Sequence, residues 1–210
     1  DQAPLESTTH ELGGVEFCGD IEAIYQANLH LRTASRVLVR LGDFHATAFS
    51  ELQRYAKRLP WYKFILPGQR VTVRATCHKS RLYHSTAVER EVVKAINTAL
   101  GNPVIPCKSD DDQDGDAFQL IVVRLIDDHC WISIDSSGPL LHRRGYRLAT
   151  AKAPLRETIA AGLLFASGWD CSSPLLDPFC GSGTIAIEAA LLACQIPPGK
   201  SRQFAFMEWP

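Results

Sequence analysis

The stretch 176–190, LDPFCGSGTIAIEAA, limits the fold more than any other part of this 210-residue chain. A short apolar run ends in an acid, Asp177. Gly181 and Gly183 follow within a tight turn. A helix-forming run extends from Thr184 to Cys194, and Pro197-Pro198-Gly199 stops it. Strand, glycine-rich turn and helix in that order predict the opening of a doubly wound α/β domain. Such a domain binds its ligand at the carboxyl end of the strand, against the helix amino terminus. Glycine lacks a β-carbon, so the backbone there approaches a ligand closely and adopts positive φ. Asp177 stands where it can accept hydrogen bonds from an amine-bearing ligand. From the residues alone, several readings stay open. Gly181 through Ala186 fits the G-x-G-x-x-A dinucleotide fingerprint, a weak signal by itself. A nicotinamide site also needs an acid about 20 residues on, at the end of the next strand, and only Glu208 lies near. The bland reading is an ordinary strand–helix turn that binds nothing.

Upstream the pattern is α+β. Residues 13–18 (GGVEFC) read as a strand, and Asp20 caps a helix over 21–34. RVLVRL (36–41) reads as a strand, and Thr47 caps a helix over 48–58 that Pro60 ends. RVTVRAT (70–76) alternates strictly: Val71, Val73 and Ala75 face one way, and Arg70, Thr72, Arg74 and Thr76 the other. That predicts a half-buried strand with a basic outer face. Ser85 caps a helix over 86–100, in which Val88, Val92, Ile96 and Leu100 recur at every fourth place before Gly101 and Pro103 end it. Residues 118–126 and 130–135 form a hairpin about Asp127-Asp128-His129. A helix over 154–167 and a strand over 174–177 lead into the glycine loop.

Hydrophobic residues make up 46% of the chain, enough for a real core. No apolar run approaches the roughly 18 residues of a membrane helix, and no leader pattern opens the sequence, so no membrane association is expected. The seven cysteines include no C-x-x-C pair, and the seven histidines show no metal spacing. Neither a disulfide framework nor a metal site is expected, and free thiols suit a reducing cytoplasm. Cys180 reads as a packing residue, because nothing is arranged to activate it.

The net charge of −1 argues against nucleic-acid binding, yet the distribution argues for it. The run 109–116 (SDDDQDGD) concentrates acid in one loop, which masks two basic regions. In the first, Lys79, Arg81, His84, Arg90 and Lys94 are candidates to hold nucleic-acid phosphates. In the second, Arg143, Arg144 and Arg147 sit at an expected hinge, where they steer a substrate or cap nearby helix carbonyls. Trp61 and Trp131 read as core, and Tyr83 as a partly buried core tyrosine rather than a base platform.

Asp177-Pro178-Phe179-Cys180-Gly181-Ser182-Gly183-Thr184 resembles the cofactor-binding first motif of the amino-methyltransferases. Together with LHRRGYRLATAKAPLRETIAAGLL (141–164), it resembles the THUMP-domain RNA guanine-N2 methyltransferases. The nearest type is the bacterial 23S ribosomal RNA one, whose members are also described as N6-adenine-specific DNA methylases. The resemblance covers nearly the whole chain. It implies a partial ferredoxin-like domain over 1–43, a THUMP RNA-binding domain over 44–141 and the first part of a methyltransferase domain over 142–210. It implies S-adenosylmethionine as cofactor, held by residues 177–184, with Arg156, Glu157 and Thr158 packing over it. It implies ribosomal RNA as partner. A transfer RNA guanine-N2 methyltransferase and a non-catalytic RNA-binding arm are the alternatives. The sequence departs from the family pattern at both ends. Members of the family carry one more strand and helix before GGVEF, and this chain is expected to lack them. The family's catalytic Asn/Asp-Pro-Pro-Tyr/Phe does not occur, and the resemblance places it beyond Pro210, so no residue is carried over as catalytic. Oligomeric state is not legible.

Overall fold

The computed structural model describes residues 8–11, 13–107, 118–147 and 155–210. The acidic loop 109–116, Lys152 and the Ala153-Pro154 step lie outside them. The chain divides into two compact units. One contains residues 36–140 and 203–210; the other contains 1–35 and 141–202.

The larger unit is built on a five-stranded mixed sheet. In chain order its elements are β3 (Leu38–His45), α2 (Phe49–Ala56), β4 (Arg70–His78), α3 (Ser85–Leu100), β5 (Ile105–Pro106), β6 (Gln119–Ile126) and β7 (His129–Asp135). The strands stand in the order β3-β7-β6-β4-β5. β4 runs parallel to β6, which α3 makes possible by carrying the chain back along the sheet. β6 and β7 are antiparallel, joined by a two-residue turn in which Asp127 and Asp128 both have positive φ (50° and 64°). Those dihedrals match the primed hairpin turns, whose twist suits the flanking strands.

Residues of one parity on the inner strands, among them Ile121, Val123, Leu125, Cys130, Ile132 and Ile134, are buried against Leu52 and Ala56 of α2 and Val88, Val92 and Ile96 of α3. The four-residue recurrence read in α3 is therefore the packed stripe, and Gly101 ends the helix in the left-handed region at φ 70°. Trp61 is fully buried, and its indole N–H donates to the Ala56 carbonyl at 2.7 Å. That bond meets an acceptor at the end of α2 that the helix cannot meet itself.

The smaller unit joins the two parts of the sequence that lie furthest apart. Its elements are β1 (Thr8–Glu11), β2 (Gly14–Phe17), α1 (Ile21–His30), α4 (Glu157–Ser167) and α5 (Thr184–Ala193). β1 pairs with β2 in an antiparallel hairpin, so a strand does precede GGVEF, against the expectation that the chain lacks one. Asp20 caps α1 as expected, accepting the Ala23 amide at 3.0 Å. The Gly199 amide donates to the Leu29 carbonyl at 3.0 Å, tying the segment after α5 to α1.

Several local expectations are corrected. Thr47 is not the cap of α2. Ala48 holds that position, and the Glu51 carboxylate reaches back to the Thr47 amide at 2.8 Å and hydroxyl at 3.0 Å. Ser85 is the first helical residue of α3, after His84. The first helix ends at His30 instead of residue 34. The strand expected at 36–41 runs over 38–45, with an irregularity between Arg40 and Gly42. Residues 174–177 form no strand. A strand needs a neighbour for its backbone groups, and among the described residues none lies beside it.

Trp61 supplies the stability test. Trp61→Ala removes a fully buried indole and is expected to cost about 3–5 kcal/mol. Trp61→Phe keeps a ring but loses the indole donor, leaving the Ala56 carbonyl with the Leu59 amide at 3.3 Å, and is expected to cost less, about 0.5–1.5 kcal/mol for the hydrogen bond. Urea unfolding followed by circular dichroism measures both. A Trp61→Ala loss below about 1 kcal/mol contradicts this packing.

Candidate cofactor loop and nucleic-acid surface

The glycine loop lies between Asp177 and α5. Gly181 and Gly183 have positive φ (53° and 75°), which a β-carbon would strain. The Gly183 amide donates to the Cys180 carbonyl at 2.7 Å and closes the turn. The Asp177 Oδ1 accepts the Phe179 amide at 3.1 Å, so the carboxylate is folded over the loop it begins. Its second oxygen has no protein partner among the described residues. Phe179 is 93% exposed, and Pro178, Cys180, Gly181 and Ser182 are exposed with it. Gly183 is the N-cap of α5 and offers no side chain, so its position supplies no side-chain cap to the first amides of that helix. The result is an open loop with backbone donors and the positive end of a helix dipole facing one place.

The amino terminus of α4 is held at the same end. Arg147 makes the connection: its Nε donates to Glu157 at 2.5 Å and its Nη2 to the Thr184 hydroxyl at 2.8 Å and the Leu155 carbonyl at 2.9 Å. One guanidinium thus fastens the first residue of α4 to the first residue of α5. Glu157, Thr158 and Thr184 are buried, while Arg156 is exposed. The structure therefore brings Glu157 and Thr184 together through Arg147, which was expected either to steer a substrate or to bond nearby carbonyls and here does bond the Leu155 carbonyl.

Behind the loop lies a second ion cluster that sequence reasoning missed. Glu188, 1% exposed, stands between Arg32 and Arg144. Its Oε1 is 3.5 Å from Arg144 Nε and accepts the Tyr146 hydroxyl at 3.2 Å; its Oε2 is 4.0 Å from Arg32 Nη1. Burial pushes the Glu188 carboxyl above its ordinary range, against the opposing pull of Arg144. Arg32 also caps α5 at its other end, donating to the carbonyls of Leu191 (3.3 Å) and Ile196 (2.7 Å). Arg144 is 4% exposed and donates to the carbonyls of Leu141 and Arg32. Its charge is used inside the unit, which removes it from any RNA surface. The available signal was Glu188 itself, the one charged residue in the helix TIAIEAALLA. Arg143 is half-buried, and its carbonyl accepts Arg202 at 2.9 Å.

The basic candidates on the sheet unit are placed differently. Lys79, Arg81, His84, Arg90 and Lys94 are all exposed. The loop before α3 is latched by Asp128, whose Oδ1 accepts the Arg81 amide at 2.6 Å and whose own amide donates to Ser80 Oγ at 3.1 Å. Tyr83 is 68% exposed and lies against the His84 ring at a centroid distance of 4.0 Å. That overturns its reading as a core tyrosine. Arg90 and Lys94 both approach the Glu91 carboxylate, at 3.5 and 2.8 Å. Trp61 is core, and Trp131 is half-buried beside His129. Among the described residues no group of three His, Cys, Asp or Glu side chains is arranged to hold a metal. Cys130 is buried and its thiol is pushed up to about 12, whereas Cys18, Cys180 and Cys194 are exposed.

Two outcomes follow. At pH about 8 a thiol reagent is expected to label Cys18, Cys180 and Cys194 first and to reach Cys130 only on unfolding. Peptide mapping of the labelled chain reads this, and early labelling of Cys130 contradicts the core. Arg147→Ala is expected to cost about 1–3 kcal/mol in urea unfolding, because it leaves Glu157 buried without its partner. An unchanged midpoint contradicts the helix clamp.

Three stretches of the chain match described families. Residues 2–38 match the RlmL ferredoxin-like domain, 46–135 the THUMP domain, and 144–208 the RMKL-like methyltransferase domain of the UPF0020 group. The glycine loop falls inside the last of these, which sets the dinucleotide reading aside. The Bacillus subtilis protein named "Putative RNA methyltransferase YpsC" is 41% identical over 94% of this chain and 51% of its own length. The ribosomal RNA large subunit methyltransferase K/L of Cellvibrio japonicus is 34% identical over 96% of this chain and 27% of its own. A crystal structure described as a predicted N6-adenine-specific DNA methylase from Listeria monocytogenes superposes with a TM-score of 0.85 at 38% identity, covering 96% of this chain and 53% of that one. SMU.472, crystallised with SAH, gives a TM-score of 0.79 at 34% identity, covering 97% and 53%. The chain spans about half the length of YpsC and of both crystal structures. It belongs with the proteins that join an RlmL-type ferredoxin-like segment and a THUMP domain to an RMKL-like methyltransferase domain.

Proposed function

We propose that this chain serves an S-adenosylmethionine-dependent RNA methyltransferase, with 1–43 as a ferredoxin-like part, 44–141 as the RNA module and 142–210 as the start of the methyltransferase domain. The observation that carries the reading is the uncapped amino terminus of α5, reached through two left-handed glycines and flanked by Asp177. An amino-acid ligand has a carboxylate and an amine, and this loop has a complement for each. Backbone amides at the helix end receive the carboxylate. The unpaired oxygen of Asp177 accepts from the amine. Gly181 and Gly183 let the backbone close on the ligand, and Ser182, which shares a hydrogen bond with Thr184 at 3.2 Å, adds a hydroxyl. Pro178, Phe179 and Cys180 form the exposed lip, and Arg156, Glu157 and Thr158 flank the site from α4. When bound, S-adenosylmethionine supplies a sulfonium-activated methyl group. SMU.472, crystallised with SAH, supports the choice of cofactor.

The THUMP match and the exposed Lys79, Arg81, His84, Arg90 and Lys94 support RNA as partner, with Arg143 as a further candidate. The Cellvibrio relative's name favours ribosomal RNA, and the proposed acceptor is the exocyclic N2 of a guanine in 23S RNA. A base must leave its stack to meet such a site. Among the described residues no helix is long and apolar enough to cross a membrane, and the proposed location is the cytoplasm.

Titration calorimetry with S-adenosylhomocysteine tests the cofactor site. Saturable binding is expected, weakened about tenfold or more by Asp177→Ala, the range of a charge-assisted hydrogen bond. The bound ligand is also expected to slow alkylation of Cys180 while leaving Cys18 and Cys194 unchanged. No binding, together with unprotected Cys180, sinks the cofactor reading. Crosslinking to separated ribosomal and transfer RNA decides the partner; preference for transfer RNA overturns the ribosomal assignment.

A further inference from the structure

Helices α2 and α3 lie side by side and leave a cleft of about 720 Å³ between their outer faces. Arg54, Lys57, Arg58 and Lys94 line it. Helix geometry gathers them. Ser50, Arg54 and Lys57 are spaced by four and three residues on α2 and the turn after it, and Lys94 and Thr98 by four on α3. Each helix therefore turns one polar stripe toward the cleft.

Among the described residues no carboxylate lines the cleft. Glu91, which lies near, is 8% exposed and accepts from both Gln53 and Lys94. Arg54 rests 4.7 Å from the centroid of the Tyr55 ring and donates to its hydroxyl at 3.1 Å, which holds the guanidinium in place without neutralising it. Lys57 and Arg58 are exposed and have no acidic partner among the described residues. Ser50, Asn97 and Thr98 add neutral hydrogen-bonding groups, and among the described residues no aromatic ring lines the cleft. A ligand matched to such walls carries several negative charges on oxygen and needs no planar ring. That is the chemistry of a phosphodiester backbone and not of a base.

We propose that the α2–α3 cleft binds the phosphate backbone of RNA, through Arg54, Lys57, Arg58 and Lys94. The inference rests on the reading of the chain as an RNA binder and adds a site to it. The cleft and the loop before α3 lie along the same helix. Arg90 and Lys94 stand one turn apart, and Ser85 to Thr98 covers about 20 Å of helix. A strand that meets Lys79 and Arg81 at one end of α3 can follow that helix to Lys57 and Arg58 at the other. Contacts of this kind position RNA without reading its sequence, which leaves selection of the base to the methyltransferase domain.

The test measures binding of the full 210-residue chain to a labelled RNA stem-loop by fluorescence anisotropy at several salt concentrations. The comparison is between wild type, Lys57→Gln/Arg58→Gln and Lys79→Gln/Arg81→Gln. Both double variants are expected to lose about three- to tenfold in affinity near physiological salt, and to flatten the salt slope by about 1 to 2. Lys57→Glu alone, one exposed position, is expected to act in the same direction and guards against a folding defect in the double variant. If wild type binds RNA and Lys57→Gln/Arg58→Gln binds it with the same affinity and slope, the cleft proposal falls and the RNA-binding reading stands. If wild type shows no salt-dependent RNA affinity, both fall. If inorganic polyphosphate binds in the cleft without competing with RNA, the ligand is a soluble polyphosphate and the proposal is overturned.

Discussion

A nearly inaccessible carboxylate, Glu188, faces two guanidiniums, and the organisation of the smaller unit depends on that meeting. Arg32 follows α1, Arg144 comes from the segment after the sheet unit, and Glu188 sits on the helix that begins with the glycine loop. Burying three charges is unfavourable unless each finds partners. Here carbonyls of Leu141, Arg32, Leu191 and Ile196 take the Nη1 and Nη2 donors of Arg144 and the Nη2 donor of Arg32, while Arg32 Nη1, Arg144 Nε and Glu188 Oε2 are held by charge attraction alone. Removing Glu188 leaves two guanidiniums facing each other with no carboxylate between them. The cluster therefore holds the amino-terminal segment against the cofactor helix more specifically than apolar packing alone would, because hydrogen bonds are directional and hydrophobic contact is not.

Arg147 extends the same logic to the front of the unit. The first residues of α4 and α5 carry a buried carboxylate and a buried hydroxyl, and a single guanidinium satisfies both. It also adds a positive charge near two helix amino termini. Helix dipoles alone would drive these ends apart; Glu157 offsets that repulsion. The consequence is a rigid frame around an open loop, which is what a site needs when its backbone amides are the binding groups.

The sheet unit separates its tasks by face. One parity of β4, β6 and β7 packs against α2 and α3, while the cations lie on the outer surface of the helices and in the loop that Asp128 latches. Much of this was legible in the sequence. The four-residue recurrence of 88–100 is a local signal and reads correctly, because period decides which face of a helix is buried; the alternation of 70–76 reads only in part, because β4 is an inner strand on which Thr72 is buried and Arg70 and Arg74 are half-buried. The aspartate pair at 127–128 marked its hairpin for the same reason, since the turn chemistry is contained in the turn. Capping was less legible. Thr47 and Ser85 have the right chemistry and stand one position away from the caps, because the start of a helix is set by where its apolar stripe meets the core. The strand at 174–177 was misread because strand formation needs a neighbour, and a run of four residues says nothing about one.

The site divides along the same line. By itself the sequence determined the glycine loop, its two left-handed positions, the helix that follows and the acid that precedes it, because turn geometry and helix polarity are short-range properties. It also determined which residues carry charge. Only the tertiary structure decided where those charges go. Arg144 and Arg147 read like Arg81 and Arg90 in one dimension, yet the first pair is bound to buried carboxylates and helix ends and the second pair is exposed. Tyr83 and Trp61 differ in the same way, one exposed and one enclosed. The fate of a charged or aromatic side chain depends on partners distant in sequence. Glu188 lies more than 150 residues from Arg32, and no local pattern encodes that encounter.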